Sequence, residues 1–183
     1  MVYWDDLGFP TNYRVDADPE FPGDGHWDYP QRRVFKPNSR LEGGPQALIR
    51  PSSSDPWILV TAFSGLGALY ATANPDVLCV FEQFERLVLV DVNDPSIQMM
   101  VESVYPVRVA ASVDQGLLLV SDWTGVTAIG ATGVRWITSG LPLDDFKVTR
   151  ADGDRIYYRG VKPATAIEVR GSLDARTGAI HHP

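Results

Sequence analysis

The stretch Gln115-Gly116-Leu117-Leu118-Leu119-Val120 decides the fold, because a short apolar run opened by a glycine is typical of a buried β-strand. The chain continues into Gly125-Val126-Thr127-Ala128-Ile129, and the turn Ala131-Thr132-Gly133 leads to Val134-Arg135-Trp136. Strand-like runs separated by turn residues predict an antiparallel meander, in which each strand pairs with the next.

The same pattern recurs at an almost constant interval on both sides of this unit. Leu78 precedes Leu118 by 40 positions, and Ile156 follows Leu118 by 38 positions. A spacing near ~40 residues, with several strands in each unit, is typical of the blades of a β-propeller. The sequence therefore predicts about three blade-like units.

Short β-rich runs, mostly bounded by Gly, Asp, Asn or Pro, are predicted as strands. They are Trp57–Phe63, Leu66–Thr72, Val77–Phe81, Arg86–Asp91, Val107–Ser112, Leu117–Ser121, Val126–Ile129, Val134–Thr138, Phe146–Arg150, Arg155–Arg159 and Ala166–Val169. Asp152-Gly153, between two of these runs, predicts a hairpin with a type I′ turn, which needs positive φ at both central positions.

Residues 74–88 also carry a competing helix signal. Asn74-Pro75-Asp76 is a good helix start, and an apolar stripe at helical spacing follows it. The stripe consists of Val77, Val80, Phe81, Phe84 and Leu87. The register of the repeat favours strands over this helix.

Two motifs carry a resemblance to known proteins. Val126-Thr127-Ala128-Ile129 with Thr132-Gly133-Val134-Arg135-Trp136, and Leu173-Asp174-Ala175-Arg176-Thr177-Gly178, resemble blade motifs of quinoprotein-type and related β-propellers. The chain from about Val107 onward is also similar to a group of small bacterial proteins of unknown function with propeller-like strand repeats. The resemblance covers roughly half the chain and rests on turns and packing positions, so it implies a fold and no activity.

These patterns predict an all-β protein of antiparallel meander units, resembling an incomplete or open β-propeller or a β-sandwich. About three units do not close a ring of the usual ~4–8 blades, so an open stack, a sandwich of meanders and a dimer that completes the ring remain alternatives. Residues 57–183 are the predicted β domain. Residues 1–56 hold eight of the 14 prolines and almost no alternating pattern, which predicts an irregular N-terminal arm packed on that domain.

Length and charge limit the function classes. The chain has 183 residues, 44% of them hydrophobic, and a formal net charge of −7. This length allows a hydrophobic core that needs neither disulfide bonds nor metal ions for stability. The negative charge argues against nucleic acid and against an anionic membrane surface as partners. The acidic N-terminal stretch and the lack of a long apolar run favour a cytoplasmic protein.

Few residues are candidates for catalysis or metal binding. Cys79 lies in an apolar run, which favours buried packing. Asp91-Val92-Asn93-Asp94 offers oxygen ligands of the kind that calcium accepts, but an ordinary turn is favoured. The acid pairs Asp144-Asp145 and Asp152 with Asp154 also lie at predicted turns, where solvated carboxylates are normal. We therefore predict no catalytic residue, no cofactor and no metal site.

The N-terminal charge layout suggests a binding function. Residues 1–30 carry seven acids against one base together with seven aromatic residues, and residues 31–50 carry five bases against one acid. Aromatic rings combined with charge are typical of protein interfaces. The residues predicted to contact a basic partner are Trp4, Asp16, Asp24, Trp27, Asp28 and Tyr29. The alternative is that this segment wraps the β core, with its rings filling gaps and its acids facing water.

The sequence thus favours a non-catalytic, intracellular protein-binding module, and an immunity-type inhibitor of a basic toxin would fit its acidity and size. One alternative is a small-ligand-binding or enzymatic domain with a central pocket. Its candidate residues are Asp122, Trp123, Arg135 and Trp136. Another alternative is a structural repeat module of a larger assembly. The identity of the partner and the oligomeric state, including a homo-oligomer, are left open.

Overall fold

A computed structural model describes residues 2–17, 19–20, 28–34, 44–61, 67–83, 85–101, 106–141 and 143–181. These residues form β-strands and a single 3-10 turn, Val113–Gln115, and contain no helix that could span a membrane. The strands are β1 (Tyr3–Asp5), β2 (Tyr13–Asp16), β3 (Gln31–Arg33), β4 (Gly44–Pro51), β5 (Trp57–Thr61), β6 (Gly67–Ala71), β7 (Val77–Glu82), β8 (Arg86–Asp91), β9 (Gln98–Val101), β10 (Arg108–Ser112), β11 (Leu117–Ser121), β12 (Gly125–Gly130), β13 (Gly133–Ser139), β14 (Asp144–Asp152), β15 (Arg155–Val161), β16 (Glu168–Asp174) and β17 (Ile180–His181).

The strands form four sheets, which follow one another along the chain except that β1 joins the second sheet. Sheet I has the strand order β2-β4-β5-β3, and sheet II has the order β1-β6-β7-β8-β9. Sheet III (β10 to β13) and sheet IV (β14 to β17) are antiparallel meanders of four strands each. Within the described strands, no sheet closes on itself. The predicted fold class, all-β with open antiparallel meanders, is confirmed.

The repeat spacing reports equivalent positions in three meanders. Leu78, Leu118 and Ile156 lie in β7, β11 and β15, the second strands of the meanders that begin at β6, β10 and β14. Each of the three side chains is fully buried. Each predicted strand from Trp57 onward overlaps a strand of the structure.

Three apolar clusters hold consecutive sheets together face to face. Representative members are Ile49, Trp57 and Leu78 between sheets I and II, Cys79, Phe81 and Leu118 between sheets II and III, and Leu119, Trp136 and Ile156 between sheets III and IV. Burial of apolar area contributes roughly 25 cal/mol per Å², so these interfaces are the main source of stability. Sheets II and III are covered on both faces, which explains why β7 and β11 are apolar up to their last residues, Glu82 and Ser121.

Val77–Glu82 and Arg86–Asp91 form β7 and β8, so the strand interpretation is confirmed and the helix alternative is wrong. Phe84, which the helical stripe included, lies outside the described residues. Asn74 closes a turn instead of capping a helix, because its side-chain oxygen accepts a hydrogen bond from the Asp76 amide at 3.0 Å. The Asn74 side chain also donates a hydrogen bond to the Ala131 carbonyl oxygen at 3.1 Å, which links sheet II to sheet III.

The hairpin predicted at Asp152-Gly153 is present, but its loop is shifted by one residue. Asp152 pairs with Arg155, so the loop residues are Gly153 and Asp154. Gly153 has a φ of +56°, whereas Asp154 is not among the residues with positive φ. The predicted type I′ turn, with positive φ at both central positions, is therefore wrong.

The N-terminal region contributes β1 to β4, which the sequence pattern did not predict. β1 and β3 pair in parallel with β6 and β5, and β2 and β4 are antiparallel neighbours in sheet I. Val2, Tyr13 and Ile49 from this region are buried in the cluster between sheets I and II. The segment is thus built into two sheets. Its strands escape local pattern analysis because several are only three or four residues long and prolines lie among them.

Candidate functional site

The alternation of side chains in the second strands of the meanders defines the candidate site. Three residues at the repeat spacing each contact the preceding sheet: Leu78, Leu118 and Ile156. The residues that follow them in sequence point to the opposite side. Cys79 thereby contacts sheet III and Leu119 contacts sheet IV. The corresponding residue of sheet IV is Tyr157, which is half-buried on the face opposite to the core cluster.

This face of sheet IV is named the cationic face here, because the strand register places several Lys and Arg side chains on it. The basic residues are Lys147, Arg150, Arg155, Arg159 and Arg170. The acids that share the face by register are Asp144, Asp152, Glu168 and Asp174, so five basic residues stand against four acids. The cationic face thus carries an excess of positive charge in a chain whose net charge is −7.

An open depression with a volume of about 780 Å³ lies on the cationic face, across β15 and β16. Its lining includes Arg155, Tyr157, Arg159, Arg170, Ser172 and His181. Sites for small ligands commonly measure ~300–1,000 Å³. The depression therefore has room for a ligand, and its walls offer guanidinium groups, a hydroxyl and an aromatic ring.

Two arginines of the depression are not neutralised by a described acid. Arg155 donates a hydrogen bond to the Ser172 hydroxyl at 3.4 Å, and neither Arg155 nor Arg159 forms an ion pair with a described residue. Arg170 does contact Glu168, at 2.6 Å, but 78% of the Arg170 side chain is exposed. Exposed ion pairs contribute only ~0–1 kcal/mol, so a ligand can replace the Glu168 carboxylate at little cost.

Arg150 and Tyr157 add a planar surface beside these groups. The Arg150 guanidinium lies 4.4 Å from the centre of the Tyr157 ring, within the range of a cation–π contact. Arg150 also approaches Asp152 at 3.5 Å. Guanidinium groups donate paired hydrogen bonds to carboxylates and phosphates. Guanidinium groups on the cationic face can therefore hold a carboxylate or a phosphate.

The hydroxyl of Tyr158 lies at the border of the depression and is buried without a hydrogen-bond partner among the described residues. Only 2% of Tyr158 is exposed, and its ring stacks on Phe146 with 5.6 Å between the ring centres. Burial raises the pKa of Tyr158, so the hydroxyl keeps its proton and can donate. A buried hydroxyl without a partner costs about 1–3 kcal/mol, and native proteins seldom leave one in that state.

Asp91, which was considered as a calcium ligand, closes a turn in the structure, and Asp174 closes another. The Asp91 carboxylate accepts hydrogen bonds from the amides of Asn93 and Asp94, at 2.8 and 3.1 Å. The Asp174 carboxylate accepts from the hydroxyl and the amide of Thr177, both at 2.9 Å, and these bonds lower the pKa of Asp174. Among the described residues, no group of three or more His, Cys, Asp or Glu side chains could hold a metal ion.

The paired acids Asp144-Asp145 and Asp152 with Asp154 lie on the surface. Three of these four carboxylates form exposed ion pairs, Asp145 with Arg108 at 3.0 Å, Asp152 with Arg150 at 3.5 Å and Asp154 with Arg176 at 3.3 Å. Solvated carboxylates of this kind lack the contrasting environments that acid–base catalysis uses.

The residues predicted to contact a basic partner have different positions in the structure. Trp4 is half-buried and packs on Tyr13, with 5.8 Å between the ring centres. Tyr29 packs on the outer cluster of sheet I and lies under the Arg50 guanidinium. Asp16 and Asp28 are exposed. Asp24 and Trp27 lie outside the described residues. The two described rings thus fill gaps, and a basic partner stays a prediction.

The residues of the alternative central pocket are divided between the core and the surface. Asp122 is buried and closes a turn by accepting a hydrogen bond from the Gly125 amide at 2.7 Å. Trp136 is part of the cluster between sheets III and IV. Trp123 and Arg135 are exposed.

Sequence reasoning missed the cationic face, although a signal for it was present. Arg155, Tyr157 and Arg159 are spaced two residues apart, and Ile156 and Tyr158 lie between them. In a strand this spacing puts the first three side chains on one face and the other two on the opposite face. β7 and β11 lack this alternation, so its appearance in the last meander marks a face that none of the four described sheets covers.

Comparison with known proteins gives no assignment for this site, because no protein-family model and no curated protein matches the chain.

Proposed function

We propose that this protein is a non-catalytic binding module whose cationic face receives an anionic partner. The observation that carries this proposal is the depression of about 780 Å³ on a sheet face where basic side chains outnumber acids. The net charge of −7 would repel an anion at long range. Because salt screens distant charges beyond about 8 Å at physiological ionic strength, the nearby arginines dominate at contact distance.

Arg155 and Arg159 are the central donors in this proposal. They lie two residues apart on β15, and both line the depression. Neither must give up an ion pair with a described acid before it binds a ligand. Carboxylate and phosphate groups match the fork of donors that each guanidinium presents.

The position of the cationic face in the stack also favours a docking function. The equivalent face of sheet II contacts sheet III, and the equivalent face of sheet III contacts sheet IV. On the cationic face, charged residues stand where those interfaces have apolar ones. Charged residues are depleted in permanently buried interfaces, so this face is suited to a partner that binds and dissociates. A partner that binds here would continue the stack without being a permanent part of it.

The proposal is tested by titrating the protein with inorganic tripolyphosphate and with hexaglutamate, using isothermal titration calorimetry at low salt. The double variant Arg155→Gln/Arg159→Gln should bind at least one of these probes about tenfold more weakly or worse, because each charged hydrogen bond contributes about 1.5–3 kcal/mol. The matched control is Arg14→Gln/Arg135→Gln, which removes two exposed arginines from other sheets and the same total charge.

The control should keep its affinity within about twofold, and 300 mM sodium chloride should weaken binding to the unchanged protein. The proposal fails if neither probe binds to the unchanged protein. It also fails if the two double variants lose affinity equally, because the cationic face would then have no special part in binding.

A further inference from the structure

We infer that the anionic partner is a small molecule, a nucleoside monophosphate, whose base stacks on Tyr157 and whose phosphate binds Arg159 and Arg170. This inference rests on the proposed function, since it names the partner of the same face. It follows from the way in which the strand register arranges the side chains of the cationic face, and from a small residue that lies between two aromatic rings.

The side chains of the cationic face form rows that run across the strands, because paired residues of antiparallel strands share a face. One row, named the phosphate row here, consists of Lys147, Arg159 and Arg170. The next row, named the ring row here, consists of Arg150, Tyr157, Ser172 and His181. Neither row contains an acid, so these two rows are the part of the face where an anion meets the least negative charge.

The ring row contains a slot for one planar ring. Tyr157, Ser172 and His181 lie side by side on β15, β16 and β17, and all three line the depression. Neighbouring strands are ~4.8 Å apart, so the backbones that carry Tyr157 and His181 are separated by about 9.6 Å, with only a serine between them. Aromatic rings in contact have their centres ~4.5–7 Å apart. One added ring therefore fits above Ser172, in contact with the ring on each side.

The walls and the floor of this slot are held in place. The Arg150 guanidinium lies 4.4 Å from the centre of the Tyr157 ring, and the described lining of the depression includes Tyr157 but not Arg150. Tyr157 thus keeps another side of its ring for a ligand. At the floor, only 9% of Ser172 is exposed, and its hydroxyl accepts a hydrogen bond from Arg155 at 3.4 Å. The same hydroxyl can donate its own proton to a nitrogen or oxygen atom of a base.

The phosphate row lies two residues from the ring row along β15 and β16, which corresponds to about 6.8 Å. A phosphate monoester carries a charge of about −1.5 to −2 at pH 7 and offers three acceptor oxygens, so it matches a row of three cations better than a carboxylate does. In a nucleoside monophosphate, the ribose separates the phosphate from the base by a similar length. One molecule can therefore reach both rows.

The cations of the phosphate row are accessible to such a ligand. Arg159 is exposed and forms no ion pair with a described residue. The other two cations form only exposed pairs, Arg170 with Glu168 at 2.6 Å and Lys147 with Asp145 at 3.4 Å. Exposed pairs of this kind are weak, so a phosphate can replace either carboxylate.

The acids of the face favour a single nucleotide over a nucleic-acid strand. Asp144 and Glu168 lie in the row beyond the phosphate row, and Asp152 and Asp174 lie in the row beyond the ring row. A strand that crossed these rows would bring further phosphates beside carboxylates, where like charges repel. Inorganic phosphate would leave the slot between Tyr157 and His181 unused. The nucleoside monophosphate is therefore the proposed ligand, and the others are outcomes of the test.

The test measures the affinity of the full chain for adenosine monophosphate (AMP), ribose 5-phosphate and adenosine, by isothermal titration calorimetry at low salt. AMP should bind at least about fivefold more tightly than ribose 5-phosphate, because stacking of the base adds to the phosphate contacts. Adenosine should bind about tenfold more weakly than AMP, because it lacks the charged hydrogen bonds of the phosphate.

Variants of Tyr157 test the ring row. Tyr157→Leu should lower the affinity for AMP to that for ribose 5-phosphate, whose own affinity should change less than about twofold because its contacts remain. Tyr157→Phe keeps the ring and should keep the preference for AMP. Tyr3→Leu is the matched control, since it removes an exposed tyrosine from sheet II, and it should also keep that preference.

A variant of Arg159 tests the phosphate row. Arg159→Gln should weaken the binding of AMP and of ribose 5-phosphate equally, by about tenfold, and leave adenosine binding unchanged. Arg135→Gln is the matched control, because it removes an exposed arginine from sheet III. Nuclear Overhauser effects from the adenine protons to the ring protons of Tyr157 and His181 should locate the base in the slot.

The inference is overturned if AMP binds no better than ribose 5-phosphate, or if Tyr157→Leu keeps the preference for AMP. It is also overturned if decathymidine binds more than about tenfold more tightly than thymidine monophosphate, because a strand would then be the ligand. In each of these cases anion binding at the cationic face can still stand. If ribose 5-phosphate, tripolyphosphate and hexaglutamate all fail to bind, the proposed function fails as well. The comparison of AMP with ribose 5-phosphate uses the unchanged protein, so it decides the matter even if a variant does not fold.

Discussion

The indole nitrogen Nε1 of Trp136 donates a hydrogen bond to the carbonyl oxygen of Ala175 at 2.9 Å, and this bond joins sheet III to the turn that follows β16 in sheet IV. Sheets I and II are joined in the same way, since Trp57 Nε1 donates to the Val92 carbonyl oxygen at 2.9 Å. Val92 and Ala175 each follow the last residue of the third strand of a meander. The recurring turn therefore supplies an acceptor to the preceding sheet.

The first prediction concerns this inter-sheet bond. Trp136→Phe should lower the free energy of unfolding by about 1–3 kcal/mol, because it leaves a buried carbonyl oxygen without its donor. Urea denaturation followed by circular dichroism measures the change. Trp123→Phe is the control, because 56% of Trp123 is exposed, and a surface substitution usually changes stability by about 0.5 kcal/mol or less. Equal losses in the two variants would show that the bond to Ala175 is not a source of stability.

The second prediction concerns the close approach of Gly178 to sheet III. Gly178 has a φ of +71°, and a β-carbon there would collide with the Thr138 side chain and with the Trp136 ring. Gly178→Ala should therefore destabilise the fold by more than the ~1–2 kcal/mol cost of the left-handed backbone alone. Gly140→Ala is the matched control, since Gly140 has a φ of +83° with nothing within 4 Å of the added carbon.

Thermal unfolding of these two variants separates the steric effect from the backbone effect. Gly178→Ala should have the lower midpoint, because overpacking adds about 1–3 kcal/mol. If Gly140→Ala were destabilised as much as Gly178→Ala, the contact of residue 178 with Trp136 and Thr138 would not limit the packing of sheets III and IV.

The third prediction uses Cys79 as a probe of the interface between sheets II and III. Cys79 is fully buried, and burial raises the pKa of its thiol well above the ordinary range. Because the thiolate is the reactive form, the folded protein should react with Ellman's reagent at pH 8 far more slowly than the chain in guanidinium chloride. As the pH rises above ~8.5, the unfolded thiol ionises and the folded one does not, so this group lowers stability at alkaline pH. Rapid labelling of the folded protein would contradict the burial.

The fourth prediction concerns the turn after β16. Hydrogen bonds from the Thr177 hydroxyl and amide lower the pKa of Asp174. Thr177→Ala should raise the pKa of Asp174 toward its ordinary value, and Thr177→Ser should keep it low because the hydroxyl remains. A carboxyl NMR titration measures both. Since the folded pKa is depressed, the contribution of the turn to stability is present above the unfolded pKa of ~3.9 and is lost as the pH falls through the folded value.

The spacing of Leu78, Leu118 and Ile156 was sufficient to predict the meanders, because these residues are buried in equivalent strands and local apolar patterns report burial. Edge strands were harder to predict from the sequence. The β9 strand has three exposed residues in succession, and β17 has only two residues, so their pairing depends on the neighbouring strand and hardly on their own sequence. The parallel additions of β1 and β3 likewise depend on contacts between distant segments.

The candidate site was predicted less well than the fold, for related reasons. The clustering of acidic and aromatic residues along the N-terminal segment predicts a binding surface there, but the structure buries part of that set. The cationic face combines Arg150 and Arg155 of adjacent strands with Arg170, and only the register shows that they share a side. The unpaired state of the Tyr158 hydroxyl depends on three-dimensional packing, and no sequence pattern reports it.

The most direct measurement for the central claim is an NMR titration of isotope-labelled protein with hexaglutamate, in which amide shift changes identify the residues that contact the ligand. Binding at the cationic face predicts that the largest changes fall in β15 and β16, at Tyr157, Arg159, Arg170 and their neighbours. Changes concentrated instead in β1 and β2, or spread evenly over all four sheets, would contradict the account.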